Sequence, residues 1–232
     1  MELKGRDIMI YLATKYNGDW NRIYEAIKNK EAIDKDKVLD TVKSVEEHVK
    51  CVTIIDSGYP DEYKQVYKPP FVLFYKGNLG LLTNNYILGI TGNNLKLPFN
   101  VENMPYSTAH LSFDNYDGKQ IVIYNDGIKD CKLDSQLMLS EYYDKVSNVM
   151  DSQAWASRLL VGVSKGIIID DIKEDYTSIA LGYALAINKP VGLLKVNQNF
   201  ELDHIENEND VRKLMRHYQE NFDFDKMPDV LN

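Results

Sequence analysis

The chain predicts an α/β fold: a Rossmann-like, mostly parallel sheet with helices on both faces, preceded by a small helical N-terminal module. Three observations lead there. From residue 51 onward, short β-rich runs alternate with helical stretches. Those runs are almost continuously apolar, as strands buried on both faces must be. The first fifty residues show helical spacing instead. With 232 residues and 44% hydrophobic content, the chain can bury one main core with a smaller appendage.

Taken in order, Met9, Leu12, Ala13 and Tyr16 recur at helical spacing, as do Trp20, Ile23, Tyr24 and Ile27. Asn17-Gly18 breaks the two, and Asp19 is placed to cap the second. Val38, Val42, Val45 and Val49 mark a third helix. Next comes YPDEYKQVYKPPFVLFYKG, Tyr59 to Gly77. Pro60 lacks an N–H and opens a helix of about two turns, through Tyr67. Pro69-Pro70 ends it and pushes the chain into an extended conformation, so Phe71–Tyr75 reads as a strand. Further strands are expected at Tyr86–Thr91, Gln120–Tyr124, Leu137–Leu139, Ile167–Ile169 and Val191–Val196. Helices are expected at Val149–Val163 and Tyr176–Ile187, with a last one near Asp210–Asn221 before a polar tail. This divides the chain into a helical module (1–50), a Rossmann-like domain (51–200) and an acidic C-terminal helix and tail (201–232).

Net charge is −8, and residues 201–232 supply −5 of it, with four basic and nine acidic side chains. Dedicated DNA binders usually carry a basic surplus, because phosphate neutralisation supplies most non-specific affinity. Any nucleic-acid site here must therefore be a local basic patch. No apolar run reaches the roughly 20 residues that span a bilayer. The N-terminal MELKGRDIMIYL has charge within its apolar stretch, unlike a signal peptide. Cys51 and Cys131 have no metal spacing, and a reduced cytoplasmic setting is expected. The histidines at 48, 110, 204 and 217 are scattered, so no catalytic residue, metal or cofactor is expected. Asp170-Asp171 reads as one cap and one solvated end, since neighbours on a strand point to opposite faces. Tyr67, Tyr75, Tyr142 and Tyr143 read as core and rim packing before base-stacking platforms.

The Tyr-Pro, Pro-Pro and Tyr-Lys-Gly-Asn elements of residues 59–78 resemble the start of the Rossmann-like domain in the DNA-processing protein A (Smf) family. Leu139-Ser140-Glu141-Tyr142 is similar to that family's Leu-Ser-Glu-Tyr. Residues Ala156 to Ser164 resemble its Arg-Asn-Arg-Ile-Ile-Ala-Gly-Leu-Ser, with Arg158 the one arginine retained. Gly166–Asp171 and Lys189-Pro190-Val191 continue the likeness. The ligand positions depart from it. Gly92 stands at the glycine of Val-Gly-Ser-Arg, but Asn94 occupies the arginine position. Asp175-Tyr176-Thr177-Ser178 replaces Ser-Gly-Ser at a helix N-terminus, where Asp175 is expected to cap the helix itself. Ala109-His110 leads to Gly118 and Asn125-Asp126-Gly127 at the family's offsets. Only 17 residues separate Gly92 from His110, fewer than in the family. The chain is therefore read as shortened between 93 and 109, with a helix, a second strand and a phosphate-facing loop deleted, and His110 as a helix-end or core histidine.

The resemblance implies a non-enzymatic protein that binds single-stranded DNA and helps a RecA-type recombinase load during DNA uptake and recombination. It implies a homo-oligomer with no membrane association. The expected ligand positions are Gly92, Asn93, Asn94, Lys96, Ser140, Arg158, Lys165, Thr177 and Ser178. Lys96, Arg158 and Lys165 would bring charge there, and Gly92 and Asn93 backbone contacts. The alternatives are a nucleotide- or phosphate-sensing Rossmann protein, or an interaction scaffold that has lost its ligand.

Overall fold

The computed structural model describes residues 3–221 apart from 84–85, 94, 115–119, 133, 174 and 197–199. Three helices come first, α1 (Gly5–Lys15), α2 (Trp20–Lys28) and α3 (Lys35–His48). The predicted break between the first two is a left-handed turn, with φ of 41° at Asn17 and 75° at Gly18. Asp19 caps α2 by accepting from the Arg22 N–H at 3.1 Å, and Asp34 caps α3 in the same way.

The helix opened by Pro60 is one turn, α4 (Asp61–Lys64), rather than two. Gln65 closes the helix, and Lys68, with a left-handed φ of 50°, turns the chain toward Pro69-Pro70. The carbonyls of Tyr67 and Lys68 then turn inward, where both accept from the Arg158 guanidinium.

Nine strands follow: β1 (Lys50–Thr53), β2 (Val72–Gly77), β3 (Ile87–Thr91), β4 (Ser107–Leu111), β5 (Ile121–Ile123), β6 (Leu137–Ser140), β7 (Gly166–Ile169), β8 (Val191–Leu193) and β9 (Asp203–His204). Helices α5 (Val149–Val163), α6 (Tyr176–Ala186) and α7 (Glu208–Asn221) complete the described chain. The strands form one sheet in the order β1-β2-β6-β5-β4-β3-β7-β8-β9. β2 pairs antiparallel with both β1 and β6, and the remaining pairs are parallel. The mostly parallel Rossmann-like sheet expected from sequence is what forms.

The reading of residues 93–109 as a deletion needs a correction. Among the described residues, the crossover from β3 to β4 carries a short 3-10 turn at Val101–Asn103. The second strand is present, however, and His110 lies on it, paired with Ile90 of β3. Ser107-Thr108-Ala109-His110 has small and polar side chains in place of the usual Val/Ile run, which hid the strand.

One face of the sheet is covered by α4, α5 and α6. Tyr63 and Val66 pack there with Leu159, Leu160 and Val163 over Leu73, Ala109, Ile121 and Leu139. Ala180, Leu181 and Ala184 of α6 cover Ile167 and Ile169. On the other face, no crossover helix lies between β3 and β6 among the described residues. The N-terminal helices take that place, with Ile10, Val38 and Val45 packed in one cluster with Phe74, Val122 and Met138. Farther along that face, α7 and the 95–106 segment pack on Leu88, Ile90 and Ile168. Each of these large aliphatic side chains contributes about 1.5–3 kcal/mol through its removal from water.

Candidate functional site: the crevice between β3 and β7

Strand order reverses between β3 and β7. From β3 the chain proceeds to β4, β5 and β6 on one side, and from β7 to β8 and β9 on the other. In open α/β sheets such a switch point leaves a crevice beyond the strands' carboxyl ends, the usual place for a ligand. Here the crevice is built from Thr91-Gly92-Asn93 after β3, Asp170 after β7, the start of α6, and Asp114 after β4.

Asp114 organises it. Its Oδ1 accepts from Thr91 Oγ1 at 3.2 Å and from the Gly92 N–H at 3.2 Å, and lies 3.0 Å from the Tyr176 hydroxyl. Its Oδ2 accepts from the Leu111 N–H at 3.1 Å. Gly92 has a φ of 152°, and a β-carbon there would meet Asp170 Cβ at 2.4 Å, so only glycine lets the two loops approach. The Tyr176 hydroxyl also lies 3.1 Å from Asn93 Oδ1, and its ring meets Phe113 edge-on at 4.6 Å. Asn93 Nδ2 donates to Asp175 Oδ2 at 3.0 Å. Asp170 pairs with Lys195 at 3.0 Å.

The expected ligand positions fall into three groups. Gly92, Asn93, Thr177 and Ser178 do meet at the crevice, but their donors are spent inside it. The Gly92 N–H serves Asp114, and the Thr177 N–H and hydroxyl both donate to Asp175 Oδ1, at 2.8 and 2.6 Å. Ser178 Oγ donates to the Asp175 carbonyl. Asp175 thus caps α6, as its position predicted, and occupies the place an anion would take. Lys96 is exposed on the following crossover, and Asn94, like Gly118, lies outside the described residues.

Ser140 and Arg158 form a second group, in the interior. Ser140 Oγ donates to the Asp126 carbonyl at 3.0 Å and accepts from the Tyr142 N–H at 3.0 Å, pinning the loops after β5 and β6. Arg158 is 1% exposed. It donates to the carbonyls of Tyr67 and Lys68 and forms a buried ion pair with Glu141. Its plane lies over the Trp155 ring, 4.6 Å from the centroid. Burial raises the Glu141 carboxyl, and Arg158 pulls it back. The guanidinium has no face turned to solvent, so the expected phosphate contact is corrected to a structural tie.

Lys165 stands apart. It precedes β7 at the amino edge of the sheet, opposite the crevice, and pairs with Glu62 at 3.2 Å. His110 is buried on β4, with Nδ1 3.0 Å from the Leu111 carbonyl. Beside it, on the sheet face that the N-terminal helices cover, is an open cleft of about 310 Å³ whose lining includes His110, Ser112, Asp114, Tyr124 and Lys132. Sequence reasoning missed Asp114 and the role of Tyr176. A carboxylate just past a strand of a parallel sheet was the available signal, but β4 had not been recognised.

Two predictions follow from this geometry. Arg158→Ala leaves Glu141 buried and unpaired and should lower unfolding free energy by about 3–5 kcal/mol. Denaturant titration measures it, and a variant as stable as the parent would show that the pair carries nothing. Burial pushes the Asp114 carboxyl up to about 7, against its donors from Gly92, Leu111, Tyr176 and Thr91. The folded chain therefore keeps a proton that the unfolded chain releases near pH 4, so this group's contribution to stability falls between about pH 4 and pH 7 and is level above. The difference in Tm between parent and Asp114→Asn should change across that window. A difference constant from pH 4 to pH 8 would contradict it.

The family model for DNA recombination-mediator protein A matches residues 50–96 of this chain. Those residues run from β1 through the loop after β3. No curated protein sequence matches. The fold is similar to that of DNA processing protein A (DprA) from Streptococcus pneumoniae, with a TM-score of 0.68 at 15% identity over 92% of this chain and 98% of that one. It is also similar to DNA processing protein A from Helicobacter pylori, with a TM-score of 0.54 at 17% identity over 74% of this chain and 90% of that one. The H. pylori protein is described for a single-stranded DNA binding mode. The segment similar to the DNA recombination-mediator protein A family thus lies in residues 50–96, within a fold similar to that of two DNA processing protein A structures.

Proposed function

We propose that this protein binds single-stranded DNA without chemically altering it and delivers the strand to a RecA-type recombinase, working as a homo-oligomer. The observation that carries this reading is the family match over residues 50–96 on a fold shared across 92% of the chain. The single-stranded DNA binding described for the H. pylori protein supports it. With a net charge of −8, binding has to come from a local surface and to be weak at high salt.

A second reading is favoured by the 310 Å³ cleft beside His110, which has the size for a compact ligand and mixes donors with acceptors. There the protein would sense a nucleotide. A nucleotide thermal-shift screen separates the two, because a ligand held only by the folded state raises the melting temperature. The carboxylates filling the crevice favour a third reading, an interaction scaffold with no ligand.

Fluorescence anisotropy of a labelled single-stranded oligonucleotide should rise with added protein at low salt and fall back as salt is increased. The oligonucleotide should emerge intact, and the complex should retain a RecA-type recombinase on size exclusion. Unchanged anisotropy at low salt would count decisively against single-strand binding.

A further inference from the structure

The Gly92 and Thr177 N–H groups of the crevice donate to its own carboxylates, and Arg158 is sealed inside. Cations and aromatic rings converge elsewhere, where α2 meets the Tyr67-Lys68-Pro69 turn and the start of α5. Trp20 stacks on Tyr24, with centroids 5.1 Å apart and planes 10° from parallel, and on Phe71 at 5.2 Å. Its indole N–H donates to the Pro69 carbonyl at 2.8 Å, fixing the ring. Lys68 Nζ lies 5.3 Å from the Trp20 centroid, 5.4 Å from Tyr67 and 5.8 Å from Trp155. It donates to Asn21 Oδ1 at 2.7 Å and has no carboxylate partner among the described residues. The outermost rings are open to solvent, Tyr24 at 44% and Tyr67 at 60%.

The chemistry of this surface is that of a single-strand reader. Every base has a π-face that stacks on an aromatic ring without regard to sequence, and a cation between the rings meets the backbone phosphate. The nearby carboxylates are engaged locally, Asp19 as the cap of α2 and Glu25 in a pair with Lys28. The rings are held before any ligand arrives, because Arg158 fixes the Tyr67 and Lys68 carbonyls from below and stacks under Trp155. Little order has to be imposed on binding.

We infer that Tyr24, Trp20, Tyr67, Trp155 and Lys68 form a stacking platform for unpaired nucleic acid, separate from the switch-point crevice. This rests on the single-strand reading above and moves its site. Tyr67, expected from sequence to be rim packing, is one of the platform's exposed rings.

Trp20 and Trp155 are the chain's two tryptophans, so intrinsic fluorescence reports on the platform directly. Unlabelled oligothymidylate should quench it over the same concentration range in which anisotropy of a labelled strand rises, and a duplex of equal length should quench it far less. Tyr24→Ala and Tyr67→Ala, both at exposed positions, should each weaken binding about fivefold or more. Lys68→Asn, which tolerates the left-handed backbone there, should reduce the slope of log K against log salt by about 0.7. A rise in anisotropy with unchanged tryptophan fluorescence and undiminished binding by these variants would overturn the platform and leave the single-strand reading standing. No rise in anisotropy would overturn both. A fluorescence change that follows protein concentration and ignores oligonucleotide would make the surface a protein interface, which also overturns the proposal.

Discussion

The buried pair between Arg158 and Glu141 is the constraint on which the rest depends. Two charges have been taken out of water, an expense that Coulomb attraction alone rarely recovers. Here the guanidinium also satisfies two backbone carbonyls, from Tyr67 and Lys68. One side chain on α5 thereby ties the end of β6 to the turn ahead of β2. Without it the Lys68 turn has buried acceptors and no donor. With it, the short α4, the left-handed Lys68 and the Pro69-Pro70 entry into β2 follow as local consequences.

The same tie explains why the fold and its expected ligand positions have parted. The switch point survives as topology, since strand order alone creates it. Its electrostatics are reversed. A helix N-terminus attracts an anion only while its N–H groups are unpaired, and at α6 the Asp175 carboxylate has already taken the Thr177 N–H. Asp114 has done the same for the Gly92 N–H. The arginine expected to meet phosphate, Arg158, points into the core. Phosphate recognition, where it exists on this chain, has to use a surface with cations still facing water.

Much of the fold was legible in the sequence. Six strands and the helices around them announced themselves through apolar runs and Pro, Gly and Asn punctuation, and Asp175 was identified as a cap. What escaped was non-local. β4 was hidden because Thr108 and His110 look polar, although neighbours on both sides bury them. The burial of Arg158 could not be seen along its own helix, because its partner Glu141 belongs to a different element. Lys165 looked like part of a basic site until its place before β7 put it at the opposite edge of the sheet. Periodicity reports which face of an element is apolar, but not which end of the sheet a loop occupies or which distant carboxylate waits beside it.

The cover of β5 and β6 by the N-terminal helices has a kinetic side. In an ordinary parallel sheet, each strand pair is covered by the helix that connects it, so cover and strands close over a short loop. Here the cover comes from the opposite end of the chain, with Ile10 and Val38 packed in one cluster with Val122 and Met138. Contacts of such sequence separation form slowly, since loop-closure entropy must be met before packing returns anything. On the ribosome α1 to α3 emerge before β5 and β6 and hold an apolar face without its partner until those strands have been made. Their caps at Asp19 and Asp34 help hold that early segment helical during the wait.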